Sequence, residues 1–148
     1  STQRDREAGF LAGLSALGTE LFARGKGEFK MEHAKDAARE MFGSSDRPDA
    51  VFVANDHMAF AVMDVLRFEL GLSVPEDVSV VGYDDVSLAA WPSYDLTTVR
   101  QPAARMVEAT IEILMDHLDG RVDRARQVTL AGPLQVRGSA RVPTGWGI

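Results

Sequence analysis

The sequence predicts an α/β fold in which a doubly wound, mostly parallel sheet is flanked by helices. Apolar, strand-like runs occupy residues 50–54 and 78–82, and a segment with helical periodicity separates them. Because that segment is long enough for a crossover helix, the two strands are expected to be parallel neighbours. The composition, with 45 % hydrophobic and 26 % charged residues among 148, is that of an ordinary globular domain.

Two helices are predicted before the first convincing strand. Residues 4–17 repeat apolar side chains at helical spacing until Gly18, and residues 31–42 do the same until Gly43. A weak strand is predicted at residues 21–23, ahead of a glycine-rich turn.

The first convincing strand, residues 50–54, has no polar position, so we expect it to be buried on both faces. Residues 56–70 then form a helix that ends at Gly71. The second convincing strand covers residues 78–82.

The last third of the chain carries weaker signals. Residues 96–99 are expected to be extended, and a proline opens a helix over residues 102–118. Short strands are predicted at residues 127–130 and 134–136, and residues 140–148 are expected to form a tail.

Charge and missing residue types exclude several function classes. The chain has 16 basic and 22 acidic residues and a net charge of −6, which argues against a nucleic-acid interface in this segment. It contains no cysteine, which excludes thiol chemistry and fits a cytoplasmic protein. No apolar run approaches the ~20 residues that span a membrane. The charged N-terminus is no signal peptide, and the chain is interpreted as the downstream part of a longer protein.

Polar side chains follow both convincing strands. Asn55 and Asp56 come after the first, and Asp84 and Asp85 come after the second. If the strands are neighbours, Asn55 and Asp84 face one crevice at the carboxyl edge of the sheet. An amide and a carboxylate there suit a ligand with hydroxyls or ring N–H groups. One of Asn55 and Asp56 is expected to cap the following helix, which leaves the other free for a ligand.

Catalytic and metal sites find little support. The adjacent carboxylates of Asp84 and Asp85 would suit Mg²⁺, but a third acid and a nearby lysine are missing. The three histidines lie on separate segments without ligand spacing: His33, His57 and His117. There is no nucleophile elbow and no glycine-rich phosphate loop. We therefore expect no metal, no cofactor and no enzyme activity.

An aromatic side chain stands out on the helix over residues 56–70. Phe60 falls on its polar side, next to Asp64 and Arg67, and Trp91 and Pro92 lie in the loop after the second strand. Aromatic residues and arginine are enriched at subunit interfaces, so these five residues predict a dimer contact. The alternative, in which Trp91 packs over its own domain, is equally open.

Six short motifs follow one another in order along the chain. They are R-E-A-G-F at 6–10, G-E-F at 27–29, R-P-D-A-V-F-V-A-N-D at 47–56, V-P-E-D-V-S-V-V-G-Y-D-D at 74–85, L-T-T-V-R-Q-P at 96–102 and R-G-S at 137–139. In this order they resemble the lactose-repressor (LacI/GalR) family of bacterial transcription regulators, over nearly the whole chain. Glu28 stands where the family has Asp, and His33, Ala34 and Lys35 stand where it often has a Gly and an aromatic residue.

The resemblance implies a periplasmic-binding-protein-like fold of two α/β subdomains behind an N-terminal helix-turn-helix. A small effector, usually a sugar or related metabolite, would bind between the subdomains. Residues 1–139 would be the C-terminal effector-binding and dimerisation region, and residues 100–130 within it would pack on a first subdomain that this chain lacks. Operator DNA would be bound only through the missing N-terminal domain.

The resemblance also assigns residue roles by position. Arg6 would fix effector oxygens, and Asn55 and Asp84 would hydrogen-bond effector hydroxyls. Phe29 would supply an aromatic wall, and Thr2 could add a hydroxyl contact. Family members form homodimers through the helix that follows Asn55 and Asp56 and through the loop that holds Trp91. The alternative function is a sugar-binding protein of the same fold that serves transport.

Overall fold

The computed structural model describes residues 2–121 and 126–145, with residues 2 and 3 as backbone only. Its elements are α1 (Thr2–Ala16), α2 (Met31–Phe42), β1 (Ala50–Phe52), α3 (Asp56–Asp64), β2 (Ser79–Asp84), β3 (Thr97–Arg100), α4 (Ala103–Leu118) and β4 (Leu134–Gln135). A π-helical turn, Val65–Glu69, continues α3, and a short 3₁₀ turn, Ser87–Ala90, lies between β2 and β3.

The sheet has the strand order β1-β2-β3-β4. β1 pairs with β2 in parallel, with Phe52 beside Val81, and β2 pairs with β3 in parallel, with Val81 beside Thr97. β4 is antiparallel to β3. The predicted α/β class with parallel neighbouring strands is therefore confirmed, and β4 makes the sheet mixed.

The predicted helices are confirmed because their apolar periodicity is local. The bounds of α2 agree with the prediction, and its buried residues recur every four positions at Ala34, Ala38 and Phe42. Gly18 has φ +67, a left-handed conformation that glycine adopts without a steric penalty, and α1 ends two residues before it.

Three strand predictions are wrong in part or entirely. β1 is not buried on both faces: Ala50 is exposed and Val51 and Phe52 are half-buried. The physical reason is that β1 lies at the edge of the sheet among the described residues. Residues 21–23 and 127–130 join no strand ladder, because a short apolar run does not specify a pairing partner.

The core lies between the sheet and the pair α2 and α3. Its largest fully buried side chains include Met63, Leu66 and Leu96. α4 contributes no buried residue to this core. Instead it exposes an apolar stripe formed by Met106, Val107, Ile111, Leu114, Met115 and Leu118. No helix in the described ranges is both long and apolar enough to cross a membrane.

Candidate effector-binding site

The carboxyl ends of β1 and β2 meet at one edge of the sheet, and Arg6 on α1 reaches both. Its Nη1 donates to the backbone oxygen of Ala54, just beyond β1. Its Nη2 donates to Asp84 Oδ1 at the end of β2, at 2.9 Å. The guanidinium carbon lies 4.0 Å from the centroid of the Tyr83 ring, within the range of a cation–π contact. The structure thus brings Arg6 and Asp84 together, and Arg6 also contacts Ala54, the residue before Asn55.

Asn55 occupies the N-cap of α3. Its backbone is extended, with φ −154 and ψ 161, and its Oδ1 accepts a hydrogen bond from the Met58 amide at 2.8 Å. This satisfies one of the backbone donors that every helix start leaves unpaired. The amide nitrogen of Asn55 has no hydrogen-bond partner within residues 4–121 and 126–145, and it remains able to donate to a ligand.

Asp56 corrects the expectation that the neighbour of the cap would be free for a ligand. Its side chain is fully buried. It accepts hydrogen bonds from Thr98 Oγ1 at 2.6 Å and from the Val86 amide at 2.9 Å. A Cβ atom at Gly82 would lie 2.4 Å from Asp56 Oδ1, so the glycine leaves room for this carboxylate. Asp56 therefore joins α3 to β3 and to the loop after β2.

The Asp84–Asp85 pair has an unusual backbone that other residues hold in place. Asp84 has φ 130 and Asp85 has φ 58, conformations that cost non-glycine residues roughly 1–3 kcal/mol each. The Asp85 carboxylate binds Arg100 Nε and, at 2.6 Å, Arg137 Nη2. These two ion pairs fix the turn and thereby the direction of Asp84.

The same two arginines set the ionisation of Asp85. Burial of the carboxylate would raise its pKa, but the hydrogen bonds from Arg137 and Arg100 outweigh burial, and the pKa of Asp85 is lowered. Both carboxylates of the pair are thus bound to arginine. In the described part of the chain, no cluster of three His, Cys, Asp or Glu residues could hold a metal ion.

Gln101 is a site residue that sequence reasoning missed. It follows β3 directly, and its Nε2 donates a short hydrogen bond to Asp84 Oδ1. The signal was present in the sequence, because Gln101 stands at the end of the third parallel strand as Asn55 and Asp84 stand at the ends of the first two. The rule that ligands bind beyond strand ends applies equally to all three.

Phe29 is not placed with these residues. Phe29 is 49 % exposed, has φ 56 and borders a cavity of about 500 Å³ between α1, α2, β1 and the chain over residues 20–29. In the described part of the chain, Arg6, Asn55 and Asp84 do not line this cavity. The Thr2 side chain lies outside what the structure describes.

The cavity itself is mainly apolar. Phe10 and Phe52 stack on its wall with ring centroids 4.9 Å apart. Further apolar lining comes from α1 and α2: Leu11, Leu14, Ala38 and Met41. At its border Arg24 Nε forms an ion pair with Glu7 at 2.7 Å.

The predicted exposure of Phe60 is wrong. Phe60 is 2 % exposed, and its ring centroid lies 4.3 Å from that of Tyr94. The loop after β2 folds back over this side of α3, where Arg67 Nη1 donates to the Ser93 backbone oxygen at 2.6 Å. The helical spacing alone predicts that this side faces solvent, because it contains no information about contacts with a distant loop, such as the one between Arg67 and Ser93, which are 26 residues apart in sequence.

The other residues of the predicted dimer contact lie at the surface or close to it. Trp91 is 59 % exposed, which contradicts the alternative that it packs over its own domain, and Pro92 is exposed beside it. Arg67 and Asp64 are half-buried under the same loop. Burial raises the pKa of Asp64, and this effect outweighs the positive charges of Lys35 and Arg67, which lower it.

Comparisons with known proteins agree with one another. Residues 1–140 match the family described as a periplasmic binding protein-like domain. The chain is 35 % identical over 143 residues to the HTH-type transcriptional repressor PurR of Photobacterium profundum, covering 95 % of this chain and 42 % of that protein. It therefore spans less than half the length of this relative.

Two solved structures are similar in fold. One is the transcriptional regulator CelR in complex with cellobiose, with a TM-score of 0.80 and 34 % identity, covering 91 % of this chain and 42 % of that chain. The other is the Lac repressor bound to ONPG in its repressed state, with a TM-score of 0.85 and 28 % identity, covering 94 % of this chain and 42 % of that chain.

Proposed function

Because this chain belongs to the periplasmic binding protein-like family and is the effector-binding region of a LacI-family regulator, we propose that it senses a small metabolite and dimerises within a DNA-binding repressor. One observation carries the sensing role. Polar groups from the ends of three neighbouring parallel strands converge at the carboxyl edge of the sheet. Arg6 hydrogen-bonds to groups at the ends of the first two strands, and Gln101 hydrogen-bonds to Asp84. That edge of an α/β sheet is the place where ligands bind.

The proposed effector is a sugar or a related metabolite. Asn55 and Asp84 offer an amide donor and a carboxylate acceptor, which together match hydroxyl groups. Phe29 would approach the effector as an aromatic wall after a movement of the chain around it, and Thr2 would add a hydroxyl contact. The cellobiose found with the similar regulator CelR supports a carbohydrate ligand.

The proposed dimer uses Trp91 and Pro92 with Asp64 and Arg67 at the edge of the contact. Phe60 supports this surface from beneath, through Tyr94, and does not contact the partner. Operator DNA would be bound by a helix-turn-helix domain N-terminal to residues 1–139. The apolar stripe of α4, within residues 100–130, would be covered by the first subdomain.

The experiment is a thermal-shift screen of sugars and related metabolites against the whole regulator that contains this chain, followed by calorimetry of each compound that stabilises it. Asp84→Ala is expected to cost roughly 1–3 kcal/mol of binding free energy, the scale of a hydrogen bond to a charged group. The matched control is Asp46→Ala, which removes an exposed carboxylate from the loop after α2. Equal affinities of Asp84→Ala and wild type for a compound that stabilises the protein would contradict the assignment, and so would a complete screen without any stabilising compound.

A further inference from the structure

The mainly apolar cavity of about 500 Å³ between α1, α2, β1 and residues 20–29 has the size of a ligand site. Small-molecule sites are typically clefts of roughly 300–1,000 Å³ with apolar and aromatic walls. Phe10 and Phe52 form such a wall, with ring centroids 4.9 Å apart. Leu11 and Phe22 also line the cavity and are exposed, so a ligand can reach the wall from solvent.

This cavity is distinct from the candidate effector site. Among the residues assigned to that site, Phe29 borders the cavity, whereas Arg6, Asn55 and Asp84 do not line it in the part of the chain that the structure describes. The effector site consists of polar groups at strand ends, but the cavity wall consists mainly of hydrocarbon. A ligand of the cavity therefore needs an apolar body, unlike the sugar proposed for the effector site.

One positive charge in the cavity lining is not neutralised by the protein. Arg47 is half-buried in the loop before β1 and lines the cavity. Within residues 4–121 and 126–145 no carboxylate pairs with it, and its hydrogen bond from Nη1 to the Ser44 backbone oxygen is long, at 3.4 Å. The other arginine of the lining, Arg24, is already paired with Glu7. Most of the five N–H donors of Arg47 thus remain available to an acceptor on a ligand.

The acidic residues of the lining offer less to a positively charged ligand. Most of them are already engaged in ion pairs with a basic residue: Glu7, Glu28 and Asp49. Glu20 has no such partner in the described ranges, but it is exposed to solvent, where an ion pair contributes little. The half-buried Arg47 therefore determines which charge the cavity favours.

We propose that this cavity is a second ligand site, for a molecule that has an apolar, aromatic body and one carboxylate. The body packs against Phe10 and Phe52. The carboxylate accepts hydrogen bonds from the guanidinium of Arg47, whose planar shape matches a carboxylate in a two-point contact. The proposal stands on residues other than those that carry the proposed sensing role.

The test is calorimetric titration of three matched probes into the whole protein that contains this chain: phenylbutyrate, phenylbutanol and phenylbutylamine. The probes share one apolar body and differ in the charge of the terminal group. We expect phenylbutyrate to bind about tenfold more tightly than phenylbutanol, the factor that one charge-assisted hydrogen bond provides. We expect phenylbutylamine to bind most weakly, because its charge has the same sign as that of Arg47.

Three variants locate the site. Arg47→Gln is expected to weaken phenylbutyrate binding about tenfold and to leave phenylbutanol binding nearly unchanged. Arg105→Gln is the matched control, because it removes the same charge from an exposed position in α4, and we expect it to change neither affinity. Leu14→Trp fills the cavity from α1 and is expected to abolish the binding of both probes.

A lack of saturable phenylbutyrate binding at millimolar concentrations would overturn the proposal. So would tighter binding of the amine than of the acid, equal effects of Arg47→Gln and Arg105→Gln, or binding that Leu14→Trp leaves intact. If Arg47→Gln fails to melt cooperatively, Arg47→Met replaces it. Because these titrations need neither a sugar nor operator DNA, their failure can be told apart from a failure of the metabolite screen.

Discussion

Asp84 and Asp85 are neighbours in sequence but have different binding partners and different structural roles. Asp84 directs its carboxylate to Arg6 and Gln101, and we propose that its second oxygen is available to the effector. Asp85 binds Arg100 and Arg137 and keeps the turn in its left-handed conformation. Two ion pairs on one largely buried carboxylate offset the backbone strain at both positions.

The lowered pKa of Asp85 predicts how stability depends on pH. A carboxylate with a lowered pKa in the folded state contributes stability that is fully present above its ordinary value of 3.8. This contribution is lost as the pH falls from there through the lowered folded-state pKa. Asp85→Asn removes it at all pH values, so the variant is expected to be less stable than wild type at pH 7.

The difference in unfolding free energy between wild type and Asp85→Asn is expected to shrink as the pH falls below about 4. Urea unfolding monitored by circular dichroism between pH 3 and 7 measures it. A difference in unfolding free energy that stays constant over this range would show that Asp85 does not stabilise the fold as an anion.

The sequence predicts the positions of the polar strand ends better than it predicts which partners the individual side chains bind. Asn55 and Asp84 are predictable because they follow apolar runs. Gln101 is harder to predict, because the run before it contains two threonines and resembles a buried strand less closely. The roles of Asn55 and Asp56 could not be separated, because the partners of Asp56, Thr98 and Val86, are 42 and 30 residues away.

The junction of α3 with β2 and β3 is the structural basis of the candidate site at the level of elements. Asp56 at the start of α3 binds Thr98 in β3, and Gly82 in β2 leaves the space in which this contact is made. A Cβ at Gly82 would also lie 2.9 Å from Leu96. The two neighbours are a buried carboxylate and a fully buried side chain, so neither can move aside easily.

Gly82→Ala is therefore expected to lower the free energy of unfolding by about 1–3 kcal/mol, the usual cost of overpacking a core. Gly9→Ala is the matched control, because a Cβ there meets nothing within 4 Å and the residue lies within α1. It is expected to raise stability by roughly 0.5–1 kcal/mol through the lower conformational entropy of the unfolded chain. Chemical unfolding of both variants measures the difference, and equal effects of the two substitutions would refute this account of Gly82.

Helices were predicted more accurately than strands for a physical reason. The burial of α2 is visible in the spacing of its own residues, whereas the state of a strand depends on its neighbours. β1 has the sequence of a central strand, yet within the described residues it pairs on one side only and remains partly exposed. The short run at residues 21–23 has the composition of a strand but joins no ladder.

At the scale of the whole molecule, several large apolar side chains in the described ranges are exposed. They include the stripe on α4 and, in the loop after β2, Trp91. Exposed apolar patches of this kind mark contacts with other subunits or domains. Under the proposed function the α4 stripe meets the first subdomain, and the Trp91 surface meets a second copy of the chain.

Trp91→Ala tests the second contact. It is expected to weaken self-association by about 2 kcal/mol or more, as truncation of a central interface aromatic does. It should change the stability of each subunit by only ~0.5 kcal/mol because the side chain is mostly exposed. Sedimentation equilibrium of the wild-type and Trp91→Ala proteins gives the dissociation constants, and identical values would remove Trp91 from the interface. A substitution of the buried Phe60 cannot serve here, since it would disturb the core.

The central claim is that a small molecule bound at the edge formed by Arg6, Asn55 and Asp84 controls DNA binding by a regulator of which this chain is part. The most direct measurement is a mobility-shift titration of the whole regulator on its selected operator, with and without a compound found in the screen. We expect the compound to change the operator affinity of wild type about tenfold, a typical coupling between two sites. We expect little change in Asp84→Ala, and no sequence-specific DNA binding by residues 1–148 alone. Operator affinity that is the same with and without every bound compound, or nanomolar sequence-selective binding by residues 1–148 alone, would contradict the account.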